Sequence, residues 1–285
     1  MMDRNRAAFL IQSCFKKRRA DVTRREMINR GDLWRSYSGD MIRDIGDNVK
    51  KLNELTLRKR PDGRSELTRQ EFYFLSRFMR TEFYATHATS APDVIDARGN
   101  LILYSYRKLM SMGGRPQVHE KTHIDRAGLG NDDYVFFSLE AGKSLQKPAS
   151  RFGNTIYRVR FCHFAFLYAD LLLVDQLMSW PYSSLIKHFP SIYHAVDNRW
   201  QSLSLSSVHF IGGRFNNVLL NLAKSILLIA RELNETDKRE LLAINTDEDV
   251  NILMNSVFRP EIRVPVMAVF RPGEFEKRSI SQLPV

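Results

Sequence analysis

The sequence predicts an α+β protein. Three observations carry that expectation. Helix-spaced apolar runs and β-prone runs are intermixed along the chain, without the regular strand–helix alternation of a parallel α/β sheet. No internal repeat or low-complexity tract is present. The 285 residues are 44% hydrophobic, 11% aromatic and 26% charged, which excludes wholesale disorder and fibrous architectures.

The elements follow in order. Residues 4–30 read as a basic helix or arm, with Ile11, Phe15 and Val22 near one stripe. Residues 40–57 form a cleaner helical pattern: Met41, Ile42, Ile45, Val49, Leu52 and Leu55 recur at steps of three and four behind the N-cap candidate Asp40. Arg60-Pro61-Asp62-Gly63 is a turn. Thr68 and Glu71 have capping-box spacing and introduce an aromatic-rich helix containing Phe72, Tyr73, Phe74 and Phe78. Phe83–Ala88 reads as a buried strand. Asp93–Ile95 and Leu101–Leu109 read as short helical pieces on either side of Arg98-Gly99-Asn100, and residues 111–133 read as a long loop. Tyr134–Leu139 is a strong strand, and Thr155–Phe166 alternates with Tyr157, Val159 and Phe161 on one face. Leu171–Met178, Ser183–His188, Asn217–Leu233 and Asp247–Asn255 read as helices, and Arg263–Phe270 as a late strand.

The formal charge is +11, which directs attention to acidic partners: nucleic acid, a membrane surface or an acidic protein. Its distribution narrows the choice. Residues 1–80 carry +9, whereas residues 81–285 carry +2. A basic helical region, 1–80, therefore precedes a nearly neutral domain, 81–285. The two cysteines, Cys14 and Cys162, form no disulfide framework or CxxC pair, which fits a reducing compartment. The opening residues do not have the pattern of a signal peptide, and Phe164–Val174 is interrupted by Asp170 and falls short of the ~20 residues of a membrane span. No membrane span is expected. His119 and His123 stand four apart, but Gly-rich surroundings and the lack of a nearby third ligand make no metal the expectation. Walker, G-x-S-x-G and Cys–His nucleophile patterns are absent from the sequence.

Within the basic region, Ile11-Gln12-Ser13-Cys14-Phe15-Lys16-Lys17-Arg18-Arg19 resembles an IQ motif. Ile11 and Phe15 are spaced i, i+4 as anchors for a Met-rich groove, Gln12 can hydrogen-bond backbone, and Lys16, Arg18 and Arg19 suit a strongly acidic partner. The resemblance implies calmodulin as that partner. It departs from the motif at Lys17, where glycine is usual, and at the late basic position, occupied by Ala20 or Asp21. A solvated basic arm and a nucleic-acid arm are the other readings. No aromatic stacking module or zinc site supports the latter, and no nucleic acid is expected.

Three pieces of the neutral domain stand together. They are Tyr84-Ala85-Thr86-His87-Ala88-Thr89-Ser90, then Asp132-Asp133-Tyr134-Val135-Phe136-Phe137-Ser138, then Phe258-Arg259-Pro260-Glu261-Ile262-Arg263-Val264-Pro265. Their order and separation resemble the NAD-binding core of ADP-ribosyltransferases, closest to the branch with a His, an aromatic and a Glu. The resemblance implies a split β core. It also implies that Glu261 is the catalytic carboxylate beside the reacting ribose. His87, Thr89 and Ser90 would hold the dinucleotide by hydrogen bonds. Tyr134, Phe136 and Phe137 are the rings available to the nicotinamide, and Ser138 is the accompanying hydroxyl. NAD enters as co-substrate. A carboxylate is the right group for this chemistry, because breaking the nicotinamide–ribose bond builds positive charge on the sugar. Each piece alone also fits ordinary strand residues: an aromatic β-branched run is what a buried strand contains.

An IQ-like helix ahead of such a core resembles the OspC/CopC family of type III secretion effectors, calmodulin-activated enzymes that ADP-riboxanate arginine. That resemblance implies a bacterial effector working in the host cytoplasm on an arginine of a host protein, a caspase being one such target class. Members carry ankyrin repeats after the core, and nothing after Val269 resembles one. Arginine-directed transferases of the other large branch use Glu-x-Glu, whereas Arg259 stands at that first position. The alternative from a different class is a non-enzymatic adaptor that binds calmodulin or another acidic host protein.

Overall fold

The Thr68-Glu71 pair forms the capping box that its spacing predicts. The Glu71 N–H donates to Thr68 Oγ1 at 3.2 Å, and the Thr68 N–H donates to Glu71 Oε2 at 2.8 Å. Helix α1, Arg69–Arg80, follows from it. The computed structural model describes Phe15 and residues 67–114, 132–143, 149–167, 169–172, 209–210 and 215–282. The helical expectation for residues 40–57, the turn at 60–63, the histidines 119 and 123 and the helix at 183–188 lie outside them.

After α1 the described elements are strand β1 (Phe83–Thr89), β2 (Leu101–Tyr104), helix α2 (Tyr106–Ser111), β3 (Tyr134–Ala141), β4 (Ala149–Ser150), β5 (Thr155–Arg160), β6 (Asp170–Leu172) and β7 (His209–Phe210). Helices α3 (Phe215–Glu232), α4 (Glu235–Leu242) and α5 (Asp247–Ile252) come next, and a π-helical turn, Leu253–Phe258, continues α5. Strands β8 (Glu261–Pro265), β9 (Met267–Phe270), β10 (Phe275–Ser279) and β11 (Ser281–Gln282) complete the order. The protein is therefore mixed α+β, as expected.

Seven strands form one antiparallel sheet in the order β10-β5-β1-β3-β8-β6-β7. A separate antiparallel ladder joins β2 to β9, and a short parallel one joins β4 to β11. One face of the large sheet is apolar: Phe83, Ala85, Val135, Phe137, Leu139, Tyr157, Val159, Ile262 and Val264 are all buried in one cluster. Onto it pack Phe74, Leu75 and Phe78 of α1, the α3 stripe Leu222, Ile226 and Ala230, and Phe270 of the β2–β9 ladder. The Phe78 and Phe83 rings lie 5.0 Å apart, across the 80/81 boundary that the charge distribution suggested. Each such buried ring contributes about 1.5–3 kcal/mol relative to exposure.

Six expectations need correction. Asp93–Ile95 is a turn ending in a β-bridge from Ile95 to Leu101, not a helical piece. The run 155–166 is a strand only to Arg160, and Phe164–Phe166 is a single 3-10 turn. Leu101–Tyr104 is a strand, because Leu101 and Leu103 alternate inward and pair with Phe270 and Ala268; the helix begins only at Ser105, whose side chain caps it. Leu171 and Leu172 belong to strand β6, held by β8 and β7. The stretch 247–255 is α-helical only to Ile252 and then π-helical. The run 263–270 is two strands in different ladders, broken at Val266, which has φ 65.

Two tests of this packing arise directly. Burial raises the Glu71 pKa, but hydrogen bonds from Arg231 and from the Thr68 N–H, with the Arg231 charge, outweigh it and hold the carboxyl below its ordinary value. Arg231 reaches Glu71 with Nε at 2.7 Å and Nη2 at 3.2 Å, tying α3 to α1. Because the folded pKa is depressed, this stabilisation is present above the unfolded glutamate pKa and is lost as pH falls through the folded value. Glu71→Gln should cost about 2 kcal/mol at neutral pH and flatten the acid limb of the stability profile, read as melting temperature against pH. Gly153 has φ 150, and a Cβ there would collide with the backbone of Thr89 and Ser90. Gly153→Ala should therefore lower stability by about 1–3 kcal/mol in a denaturant titration.

Candidate active site

Strand register decides which candidate residues can meet. Cα partners across an antiparallel ladder share a face, and neighbours along a strand alternate. Ser138 on β3 is paired with Thr86 on β1 and with Glu261 on β8. Thr86 is paired in turn with Arg158 on β5. One row thus runs across four neighbouring strands: Arg158, Thr86, Ser138, Glu261. It lies on the face opposite the apolar cluster.

The same face carries Tyr84 and Glu140 on one side of the row and Phe136, Arg263 and Tyr134 on the other. Side-chain geometry agrees. The Arg158 guanidinium sits 3.5 Å from the Tyr84 ring centroid, and its Nε lies 3.6 Å from Glu140 Oε2. Arg158 Nη1 donates to the Lys143 carbonyl at 2.7 Å, and Nη2 donates to the Gly142 carbonyl. The Arg263 guanidinium lies 5.3 Å from the Tyr134 ring centroid. Burial and the neighbouring Glu82 push the Tyr84 hydroxyl pKa up, so it remains protonated at neutral pH. Arg158, Arg263 and Glu140 are each at most 1% exposed, which makes this a built polar layer rather than a solvated surface.

Glu261 opens β8, half-buried, two residues beyond the left-handed Arg259 and directly after buried Pro260. Ser138 and Phe136 are half-buried and Tyr134 is buried on β3. Four of the residues singled out in the sequence, Glu261, Ser138, Phe136 and Tyr134, therefore share the polar face.

His87, Thr89 and Phe137 do not join them, because alternation turns them to the apolar face. His87 Nδ1–H donates to the Phe136 carbonyl at 2.8 Å, and its ring centroid lies 5.5 Å from that of Phe137. Phe137 packs edge-on against Phe166 and Phe270 at 5.3 and 6.2 Å. Thr89 Oγ1 accepts from the Ala91 N–H at 3.0 Å, and Ser90 is exposed beyond the strand end. The sheet thus stands between His87 and Glu261.

Of the IQ-like segment, only Phe15 is among the described residues; it is helical and 74% exposed. Ile11, Gln12, Lys16, Arg18 and Arg19 lie outside them. Among the described residues, no helix is long and apolar enough to cross a membrane, and no group of three His, Cys, Asp or Glu side chains is arranged to hold a metal ion.

Sequence reasoning passed over Glu140 and Arg158, and gave no role to Thr86 and Arg263 within the pieces it singled out. The signal for Arg158 was present: placing Tyr157 and Val159 on one face of an alternating strand puts Arg158 on the other. No family model matches the chain, and no curated protein matches it.

Proposed function

We propose that the chain is a calmodulin-activated ADP-ribosyltransferase that uses NAD to modify an arginine of a host protein, as expected of an OspC/CopC-like effector. The observation that carries this is the placement of Glu261. It heads a strand in register with Ser138, on the polar face of an antiparallel sheet that also carries Phe136 and Tyr134. On this view the large sheet and the β2–β9 ladder are the two parts of a split β core.

The residues on that face fit a ribosyl group. Hydroxyls and a carboxylate complement sugar hydroxyls, and half-buried Phe136 offers a ring to the nicotinamide. The bond between nicotinamide and ribose C1′ breaks with its electron pair leaving on nicotinamide. The Glu261 carboxylate stabilises the charge that develops on the sugar. A guanidino nitrogen of the acceptor then bonds C1′ and releases a proton. Loss of ammonia with ring closure on the ribose would carry the product on to an ADP-riboxane. His87 and Thr89 act from the opposite face, as a brace through the Phe136 carbonyl and the strand end rather than as direct ligands.

The partner assignment rests on the Ile11-Gln12 spacing, the +9 charge of residues 1–80 and exposed Phe15. The expected result is transfer of ADP-ribose to an arginine-containing host protein, read by intact mass, only when calmodulin is present. The adaptor alternative draws support from the separation of His87 and Phe137 from Glu261. It expects calmodulin binding with no mass added to any protein.

A further inference from the structure

Strand β8 is bracketed by backbone strain. Among the described residues, Arg259 and Val266 are the two non-glycine residues with positive φ, at 54 and 65, and they flank Glu261–Pro265 on either side. Both positions are costly for an L-residue. Val266 is β-branched, a poor occupant of left-handed backbone. Arg259 precedes Pro260, whose ring pushes the preceding residue toward extended backbone. The π-helical turn Leu253–Phe258 leads into this strand, and π turns inside helices recur at functional positions.

Hydrogen bonds hold both residues in place, a local one closing the π-helical turn at Arg259 and tertiary ones at Val266. The Arg259 N–H donates to the Met254 carbonyl at 2.5 Å. The Val266 N–H donates to the Asp133 carbonyl at 2.7 Å, and the Val266 carbonyl accepts from the Ser105 N–H at 2.8 Å. The Ser105 hydroxyl in turn reaches Asp133 Oδ1 at 3.3 Å. The strand is thereby fixed at both ends. Register matters here more than elsewhere, since a slip of one residue would turn Glu261 to the apolar face and Ile262 to the polar one.

Glycine would adopt these dihedrals without strain, but it would also leave many other conformations open. Arg and Val, once forced into the left-handed region, occupy a narrow well. We propose that Arg259 and Val266 are positioning residues that lock strand β8 in the register presenting the Glu261 carboxylate beside Ser138. Their catalytic consequence rests on the transferase function proposed above; the lock itself does not.

The test compares Val266→Gly, Arg259→Gly and Arg259→Asn with the wild-type chain. Each is read by melting temperature, by kcat and KM for nicotinamide release from NAD with calmodulin present, and by amide exchange at residues 261–264. Both glycine variants should melt no lower than wild type. Their kcat should fall about tenfold with KM unchanged, as expected when a reacting group loses its alignment. Exchange at 261–264 should quicken about tenfold, by the release of local structure. Arg259→Asn should stay at wild-type values, since asparagine tolerates left-handed backbone. Wild-type exchange in both glycine variants overturns the lock, and faster exchange with wild-type kcat overturns its positioning role. Wild-type turnover in Glu261→Gln would sink the transferase function instead, and the exchange measurement would still decide the lock.

Discussion

Glu261→Gln should fold like the wild-type chain and lose about 10²–10³-fold in kcat for nicotinamide release, with little change in the KM for NAD. Gln preserves the size of the side chain and removes the negative charge that would face the developing positive charge on the sugar. Glu261 lies at the strand head and is half-buried, so the substitution leaves no large cavity. Circular dichroism and melting temperature separate loss of the charge from loss of the fold. A folded Glu261→Gln protein turning over at the wild-type rate would remove this carboxylate from the chemistry.

The second large effect is on stability. Arg158→Ala should cost about 3–5 kcal/mol, because it breaks a buried ion pair and leaves the Glu140 charge without its nearest guanidinium. Arg158 and Glu140 are 1% and 0% exposed. The truncation also removes the donors to the Gly142 and Lys143 carbonyls and the cation stacked on Tyr84. Arg158→Met in a Glu140→Leu background should recover much of the loss, since an apolar pair of similar volume carries no desolvation cost. Denaturant midpoints of the single and double variants decide the matter. Equal destabilisation in both would show that the carbonyl contacts, and not the charge pair, hold the layer.

Much of the fold was legible. The Thr68–Glu71 spacing announced α1, the period of 217–233 announced α3, and the aromatic run 134–139 announced β3. Local chemistry sets such elements, so local sequence reveals them. Leu101–Tyr104 misled because four apolar residues beside a helix start fit either period; only the pairing with β9 makes them a strand. Val266 was invisible for another reason. Nothing in Val-Pro-Val-Met signals left-handed backbone, and tertiary hydrogen bonds to the Asp133 carbonyl and from the Ser105 N–H impose it.

The site was legible in part. Glu261, Ser138, Phe136 and Tyr134, which the sequence singled out because each stands in a β-prone run that it marks clearly, share the polar face. Their separation from His87 and Phe137 was not foreseen, since proximity along the chain says nothing of face until register is known. Counting alternation along each strand would have set His87 apart from Thr86 and Phe137 apart from Phe136 and Ser138, leaving only the register to place Glu261. It would also have placed Arg158 opposite Tyr157. The charge segregation is a property of the sequence alone: +9 in residues 1–80 against +2 in residues 81–285.

The most direct test is nicotinamide release from NAD by the full chain, measured with and without calmodulin. Release that appears only with calmodulin, and disappears in Glu261→Gln, is the expected result. Tight calmodulin binding with no nicotinamide released, by a chain shown to be folded, would contradict the transferase assignment and leave the adaptor role in its place.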